Sequence, residues 1–154
     1  RADDTGGSLH DRLAALGAGL LGEQLAGVLA GRRPGARPQP DEGVTYAQKL
    51  AKSEAALDFT RPASELERKI RAFVPWPVAE AEVAGERLRI HAARVLDIEP
   101  RGEPGSVMAA GRDGIDIACG GGVLRLLAVQ RPGRRRMAAA DYVNARPDLR
   151  GAHA

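Results

Sequence analysis

The chain has 154 residues, 44% of them hydrophobic and 28% charged, which predicts one globular domain with or without an appendage. It contains a single cysteine, so an intramolecular disulfide framework is excluded. No apolar run approaches the roughly 18–20 residues that a membrane span needs, and the formal net charge of +3 is weakly basic. We therefore expect a cytoplasmic chain without a membrane segment.

Residues 5–31 are predicted to form a helix together with its cap. Apolar side chains recur there at helical spacing along one side, and Ser8 followed by Asp11 has the form of a capping box. The helix also carries four glycines, Gly17, Gly19, Gly22 and Gly27. Each glycine weakens an isolated helix by up to about 1 kcal/mol relative to alanine. Such a helix needs a surface to pack on, and the segment cannot supply one by itself.

Residues 32–44 are predicted to form an extended, exposed linker. Their three prolines forbid a helix, and their glycines favour turns. Residues 45–58 could hold a short helical piece, which carries Lys49 and Lys52.

A second helix is predicted over residues 62–73. Acidic side chains lie near its start and basic side chains near its end, as the helix dipole favours. Leu66, Ile70 and Phe73 share one side of it and are predicted to be buried. The prolines that follow would end the helix.

The pattern beyond residue 77 changes to short runs rich in β-branched residues, separated by glycine-containing turns. Candidate strands cover residues 78–83, 87–98, 106–110, 114–118 and 122–130. A last short helix is predicted at about 138–145. We therefore expect a mainly β fold, a small OB-like barrel with flanking helices.

Catalytic and metal chemistry is poorly supported. The three histidines, His10, His91 and His153, are far apart, and no two have the spacing of metal ligands. Gly6-Gly7 precedes a helix without the dinucleotide-binding fingerprint, and Gly120–Gly122 lies between two strands. We interpret both glycine stretches as structural.

The segment 125–136 contains five arginines and no acidic residue. Pro132-Gly133 predicts a turn with Arg131 on one side and residues 134–136 on the other. Guanidinium groups pair well with phosphate oxygens, and clustered arginines release counterions from nucleic acid. The alternative interpretation is a solvated charged turn that binds nothing.

Arg87, Arg89 and Arg94 lie on neighbouring candidate strands and could widen this basic patch. Aromatic residues make up only 3% of the chain, so few rings are available to stack on bases. Recognition of a folded RNA through its shape and phosphates is therefore favoured over reading of single strands.

Three blocks of the sequence resemble consecutive signatures of the methionyl-tRNA formyltransferases. They are EGVTYAQKLAKSEAALDF (42–59), LERKIRAFVPWP (66–77) and GVLRLLAVQRPGRRRMAAADYVNA (122–145). DTGGSLHDRLAALG (4–17) is similar to the start of the last helix of that family's catalytic domain. Val74 departs from the pattern, since the family usually has a small polar residue there.

The resemblance implies a three-part organisation. Residues 1–31 would be the final helix of a formyltransferase catalytic domain, 32–58 a basic linker and 59–154 an OB-like tRNA-binding domain. Initiator methionyl-tRNA would be the partner. The tRNA-facing candidates are Lys49, Lys52, Arg125, Arg131, Arg134, Arg135 and Arg136.

The family's catalytic asparagine, histidine and aspartate have no counterpart in this sequence. We therefore expect 10-formyltetrahydrofolate to serve only the full-length enzyme, which would be a monomer. This chain is expected to bind neither a cofactor nor a metal and to be inactive alone.

Two other functions remain open. Related formyltransferases that share the two-domain layout act on amino sugars of sugar nucleotides. The arginine-rich turn and the lysine-bearing linker suit a polyanion better than a small nucleotide. A non-catalytic basic module is the other alternative, and it would bind RNA weakly and without regard to its structure.

Overall fold

The computed structural model describes residues 1–32, 35 and 37–149. The last five residues of the predicted tRNA-binding domain, which include His153, lie outside the described residues. The helices are α1 (Gly6–Leu29), α2 (Ala63–Ala72) and α3 (Ala139–Asn144), with 3-10 turns at Lys52–Ala55 and Pro147–Leu149. The strands are β1 (Ala79–Val83), β2 (Glu86–Leu96), β3 (Val107–Gly111), β4 (Gly114–Ala118), β5 (Val123–Gln130) and β6 (Met137–Ala138).

The strands form one antiparallel sheet in the order β1-β2-β5-β4-β3, with β6 paired to β5. β2 is long and has register shifts between Ile90 and Ala92 and between Ala92 and Ala93, where irregular pairing bends a strand. No pairing joins β1 to β3 within the described residues, so the sheet is open. The predicted mainly β fold with flanking helices is confirmed.

The core lies between the sheet and the two short helices. α2 packs on β2 and β5, and α3 packs on β3, β4 and β5. Leu66, Ile70 and Phe73 are buried, as their helical spacing predicts. The interior is largely aliphatic because the chain has so few aromatic residues. No helix among residues 1–32, 35 and 37–149 is long and apolar enough to cross a bilayer.

One local prediction is confirmed in a shorter form, and one is wrong. The short helical piece expected in residues 45–58 is the four-residue 3-10 helix Lys52–Ala55, which carries Lys52 but not Lys49. The cap of α1 is Thr5 and not Ser8: Thr5 Oγ1 accepts from Ser8 N at 3.1 Å, while Ser8 Oγ accepts from Thr5 N at 2.9 Å. Both residues carry a hydroxyl and are three apart, so they form a capping box one turn earlier than expected.

The N-terminus of α1 is tied to the end of α2. The Gly7 amide donates to the Val74 carbonyl at 2.9 Å, and Arg71 Nη1 donates to the Asp4 carbonyl at 2.8 Å. Beyond this contact α1 buries no residue. Its apolar side chains are exposed at Leu9, Leu13, Leu16, Leu20, Leu21, Leu25, Val28 and Leu29. The apolar side of α1 is therefore not covered by the rest of the described chain, and the surface that such a helix needs is not supplied by its own segment.

Replacing Gly6 with alanine is expected to loosen the contact between α1 and α2. A Cβ at Gly6 would lie 2.4 Å from the Ala72 carbonyl oxygen, whereas a Cβ at Gly19 would meet nothing within 4 Å. We expect G6A to weaken the contact between α1 and α2 by about 1–3 kcal/mol and the control G19A to stabilise α1 by about 1 kcal/mol. The hydrogen-exchange rate of the Gly7 amide measures the stability of this contact. Unchanged exchange in G6A would contradict the prediction.

Candidate nucleic-acid interface

Residues 131–136, which we call the basic turn, connect β5 to β6. The Arg134 amide donates to the Arg131 carbonyl at 3.1 Å, and Gly133 has a φ of +67°, a backbone conformation that glycine adopts without strain. The predicted turn is therefore present. The side chains of residues 134–136 are exposed, and they make no hydrogen bond or ion pair with any described residue. Three guanidinium groups are thus available to an external anion.

Arg131 differs from these three because it has an internal partner. Its Nε donates to Glu86 Oε1 at 2.5 Å, and 42% of its side chain remains exposed. The other Glu86 oxygen accepts from the Tyr142 hydroxyl at 3.0 Å and from Arg146 Nη1 at 2.9 Å. Glu86 therefore joins the basic turn to the C-terminal helix.

The charge state of Glu86 follows from these contacts. Burial raises the pKa of its carboxyl, but the hydrogen bonds from Arg131 and Tyr142 outweigh burial, so the pKa lies below its ordinary value. Burial and the bond to Glu86 raise the pKa of Tyr142 to about 12. Glu86 is thus ionised and the Tyr142 hydroxyl protonated at neutral pH, as their hydrogen bond requires.

The basic turn is held at Arg134 by Gln130. Its Nε2 donates to the Arg134 carbonyl at 2.8 Å, and its Oε1 accepts from His91 Nε2 at 2.9 Å. Burial lowers the pKa of His91, the bond to Gln130 opposes that shift, and the charges of Arg136 and Arg89 add to it. The imidazole is therefore neutral at pH 7, with its proton on Nε2.

A depression of about 340 Å³ adjoins the basic turn. We call it the basic groove, and it is lined by Lys52, Glu80, Arg87, Leu88, Arg89, Gln130, Arg131, Pro132 and Gly133. Lys52 from the linker and Arg131 from the basic turn, 79 positions apart, thus line one groove. Four cationic side chains contribute to it against one carboxylate.

Glu80 organises two of the groove arginines. One carboxylate oxygen lies 2.6 Å from Arg87 Nη2 and the other 3.2 Å from Arg89 Nε. The Glu80 side chain is only 12% exposed, whereas Arg87 is 74% exposed and Arg89 44%. The arginines are therefore held by the carboxylate and still face solvent, as the widened basic patch requires.

The remaining predicted residues lie apart from the groove lining. Lys49 is exposed on an extended segment before the 3-10 turn. Arg125 makes two hydrogen bonds to the buried Asp116, at 2.5 and 2.7 Å, and lies opposite Arg94 in the β2–β5 register. Its guanidinium group is thus already paired within the sheet, which leaves it less available than residues 134–136.

Three residues that hold the cationic side chains in place, Glu86, Gln130 and Glu80, were not predicted from the sequence. Nothing in the local pattern marks Glu86 or Glu80, because each acts on an arginine of another strand or turn. Gln130 is only four residues before Arg134, but its bond to the Arg134 carbonyl depends on the fold of the turn. The only hint is the alternation of β1 and β2, which places Glu80 opposite Arg89 once the register is known.

Neither the cysteine nor the tryptophan belongs to the groove lining. Cys119 is buried, and burial raises the pKa of its thiol to about 11. Trp76 follows α2 and is 55% exposed. Within residues 1–32, 35 and 37–149, no group of three His, Cys, Asp or Glu side chains could hold a metal ion.

Known proteins similar to this chain agree with one another. It is 59% identical over 147 residues to a methionyl-tRNA formyltransferase of Stenotrophomonas maltophilia (strain K279a), covering 96% of this chain and 48% of that protein. It is 58% identical over 146 residues to one of Xanthomonas euvesicatoria pv. vesicatoria, covering 95% and 48%. The chain therefore spans about half the length of these relatives.

Solved structures show the same fold at low identity. HypX from Aquifex aeolicus, in a variant with several substitutions, aligns with a TM-score of 0.61 and 17% identity over 86% of this chain and 24% of that one. HypX in complex with tetrahydrofolic acid aligns with a TM-score of 0.55 and 19% identity, covering 77% and 22%. The family model for the formyl transferase C-terminal domain matches residues 49–147, which include the groove and the basic turn. The chain therefore belongs to the formyl transferase C-terminal domain family.

Proposed function

We propose that this chain is the tRNA-binding part of a methionyl-tRNA formyltransferase and that it binds initiator methionyl-tRNA through the basic groove and the basic turn. The observation that carries the proposal is the meeting of Lys52 with Arg131 in one groove, beside three unpaired arginines. Curated relatives that are named methionyl-tRNA formyltransferases support the choice of RNA. In this proposal the contacting residues are Lys49, Lys52, Arg131, Arg134, Arg135 and Arg136.

The arrangement of charges favours a polyanion as the ligand. The groove cations line an open depression rather than a closed pocket, and the exposed arginines of residues 134–136 directly follow its lining residues Arg131–Gly133 in the chain. Several separate guanidinium groups can each pair with one phosphate of a backbone, whereas a sugar nucleotide offers only a diphosphate. The near absence of aromatic side chains supports contacts with phosphates over stacking on bases.

Arg125 has a weaker part in this proposal. Its guanidinium group is paired with Asp116, so contact with a phosphate would require it to leave a buried carboxylate. We expect its removal to affect the stability of the sheet more than RNA binding.

The proposal also assigns each part of the chain to a domain of the longer protein. Residues 1–31 would belong to the catalytic domain, 32–58 to the linker and 59–154 to the tRNA-binding domain. Formyl transfer from 10-formyltetrahydrofolate would occur in the full-length enzyme, in the cytoplasm, where charged tRNA is found. The basic groove does not suit a folate, because Leu88 and Pro132 are its only apolar side chains and it has no aromatic one to cover a pteridine ring.

Fluorescence anisotropy with labelled initiator tRNA, elongator tRNA and a generic RNA hairpin tests the proposal. We expect the chain to bind initiator tRNA in preference to the other two, with an affinity that falls steeply as salt rises. Equal affinity for all three RNAs would favour a basic module without structural preference. Absence of binding to any of them at low salt would contradict the proposal.

A further inference from the structure

The basic turn is held at two of its residues, Arg131 and Arg134, by side chains that lie outside it. At Arg131, the Glu86 carboxylate binds the guanidinium group at 2.5 Å. At Arg134, the Gln130 amide binds the backbone carbonyl at 2.8 Å and is itself fixed by His91 at 2.9 Å. Between these points the turn contains Pro132, which has no amide hydrogen to donate. The backbone is therefore held at Arg131 and again at Arg134, directly before Arg135 and Arg136.

Both attachments lead back to ordered parts of the protein. Glu86 begins β2 and also accepts hydrogen bonds from Tyr142, which is fully buried, and from Arg146. His91 belongs to β2, and Gln130 is the last residue of β5. The turn is thus fastened to the sheet and to α3 and does not depend on its own short span for order.

We propose that Glu86 and Gln130 are positioning residues that hold the basic turn in its RNA-binding conformation before RNA arrives. This inference rests on the proposed function, because it takes residues 134–136 as contacts to RNA phosphates. A loop that is flexible in the free protein loses conformational entropy when it binds, and this loss lowers its affinity. A loop that is already ordered in the folded protein avoids that loss on binding. His91 supports Gln130 by fixing its amide orientation, so that Nε2 faces the Arg134 carbonyl.

The Q130M variant tests the attachment at Arg134 without changing any charge. Methionine has nearly the length of glutamine but cannot make either hydrogen bond. We expect affinity for initiator tRNA to fall about threefold to tenfold, the cost of ordering one or two side chains. The slope of log affinity against log salt should stay unchanged, because the number of phosphate contacts is the same. Wild-type affinity in Q130M, or a reduced slope, would overturn the inference for Gln130.

The E86Q variant tests the attachment at Arg131, because electrostatics and positioning predict opposite changes in RNA affinity. Removing a carboxylate raises the net charge by one, so electrostatics alone predicts tighter RNA binding. Loss of the ion pair to Arg131 predicts weaker binding if Glu86 positions the turn. The control E99Q makes the same charge change at an exposed glutamate outside the groove. Weaker binding in E86Q with equal or tighter binding in E99Q is the expected result.

Two outcomes separate this inference from the proposed function. If the wild-type chain does not bind initiator tRNA, the proposed function fails. If it binds and both E86Q and Q130M bind equally well or better, the positioning role is wrong while the function stands. Because E86Q also removes support from Tyr142 and Arg146, circular dichroism at the assay temperature must show it folded. Should E86Q be unfolded, Q130M alone decides the question.

Discussion

Replacing Arg134, Arg135 and Arg136 together with alanine is expected to reduce affinity for initiator tRNA roughly a hundredfold at 0.1 M salt. The three side chains are exposed and have no partner among the described residues, so each is free to neutralise a phosphate. The slope of log affinity against log salt should become shallower by about 2 to 3, because each neutralised phosphate contributes about 0.7 to 0.9 to it. Anisotropy titrations at several salt concentrations measure both quantities.

A control variant shows whether affinity depends on the location of the arginines or only on the net charge of the chain. Arg68, Arg101 and Arg112 are also exposed, and replacing these three with alanine removes the same number of charges elsewhere on the surface. We expect that variant to lose only a small part of the affinity. Both triple variants should unfold near the wild-type midpoint, because exposed charges contribute little to stability. Equal loss of affinity in the two would show that net charge, and not the basic turn, determines binding.

The second large effect is expected at Gly120, in the connection between β4 and β5. A Cβ there would lie 1.8 Å from the Thr60 carbonyl oxygen. The Gly120 amide also donates to the carbonyls of Phe59 at 2.9 Å and Arg61 at 3.2 Å. The contact therefore fastens the segment before α2 to the sheet. A methyl group cannot be accommodated without separating two backbone segments that are hydrogen-bonded to each other.

We expect G120A to lower the free energy of unfolding by about 3 kcal/mol or more. Urea denaturation followed by circular dichroism measures the change. Gly111 is the control, because it lies in β3 and a Cβ there meets nothing within 4 Å, so G111A should change stability little. A loss below about 1 kcal/mol in G120A would mean that the β4–β5 connection moves aside at low cost.

The elements predicted correctly from the sequence are those whose patterns depend only on neighbouring residues. The stripe of Leu66, Ile70 and Phe73 predicted α2 to within a residue at its ends, because helical periodicity is local. The strands β1 to β5 were found for the same reason, since alternation and glycine turns need only a few neighbouring residues, whereas the two-residue strand β6 was not predicted. The short helical piece expected in 45–58 is only the 3-10 turn Lys52–Ala55, although the Ala, Leu, Lys, Gln and Glu residues there favour a helix. Most of that segment is exposed and has no packing partner to stabilise a longer one.

The basic turn itself was predictable, and the state of its individual arginines was not. Clustering of arginines and the Pro132-Gly133 pair are visible in the sequence. Arg125 and Arg131 look equivalent to residues 134–136 by composition, yet Asp116 and Glu86 engage them. Glu86 is 45 residues from Arg131 along the chain, so no local pattern could indicate the pair.

The sequence by itself determined the kind of fold, the place of the arginine-rich turn and the resemblance that the family match bears out. Tertiary structure alone decided which cations remain free, which acids hold the others, and that Lys52 and Arg131 line one groove. The physical reason is that ion pairs form between side chains brought together by strand register and packing. Helix α1 illustrates both cases. Its apolar periodicity was evident in the sequence, but its attachment to α2 through Gly6 and Gly7 depends on a close approach of two backbone segments that only the tertiary structure shows.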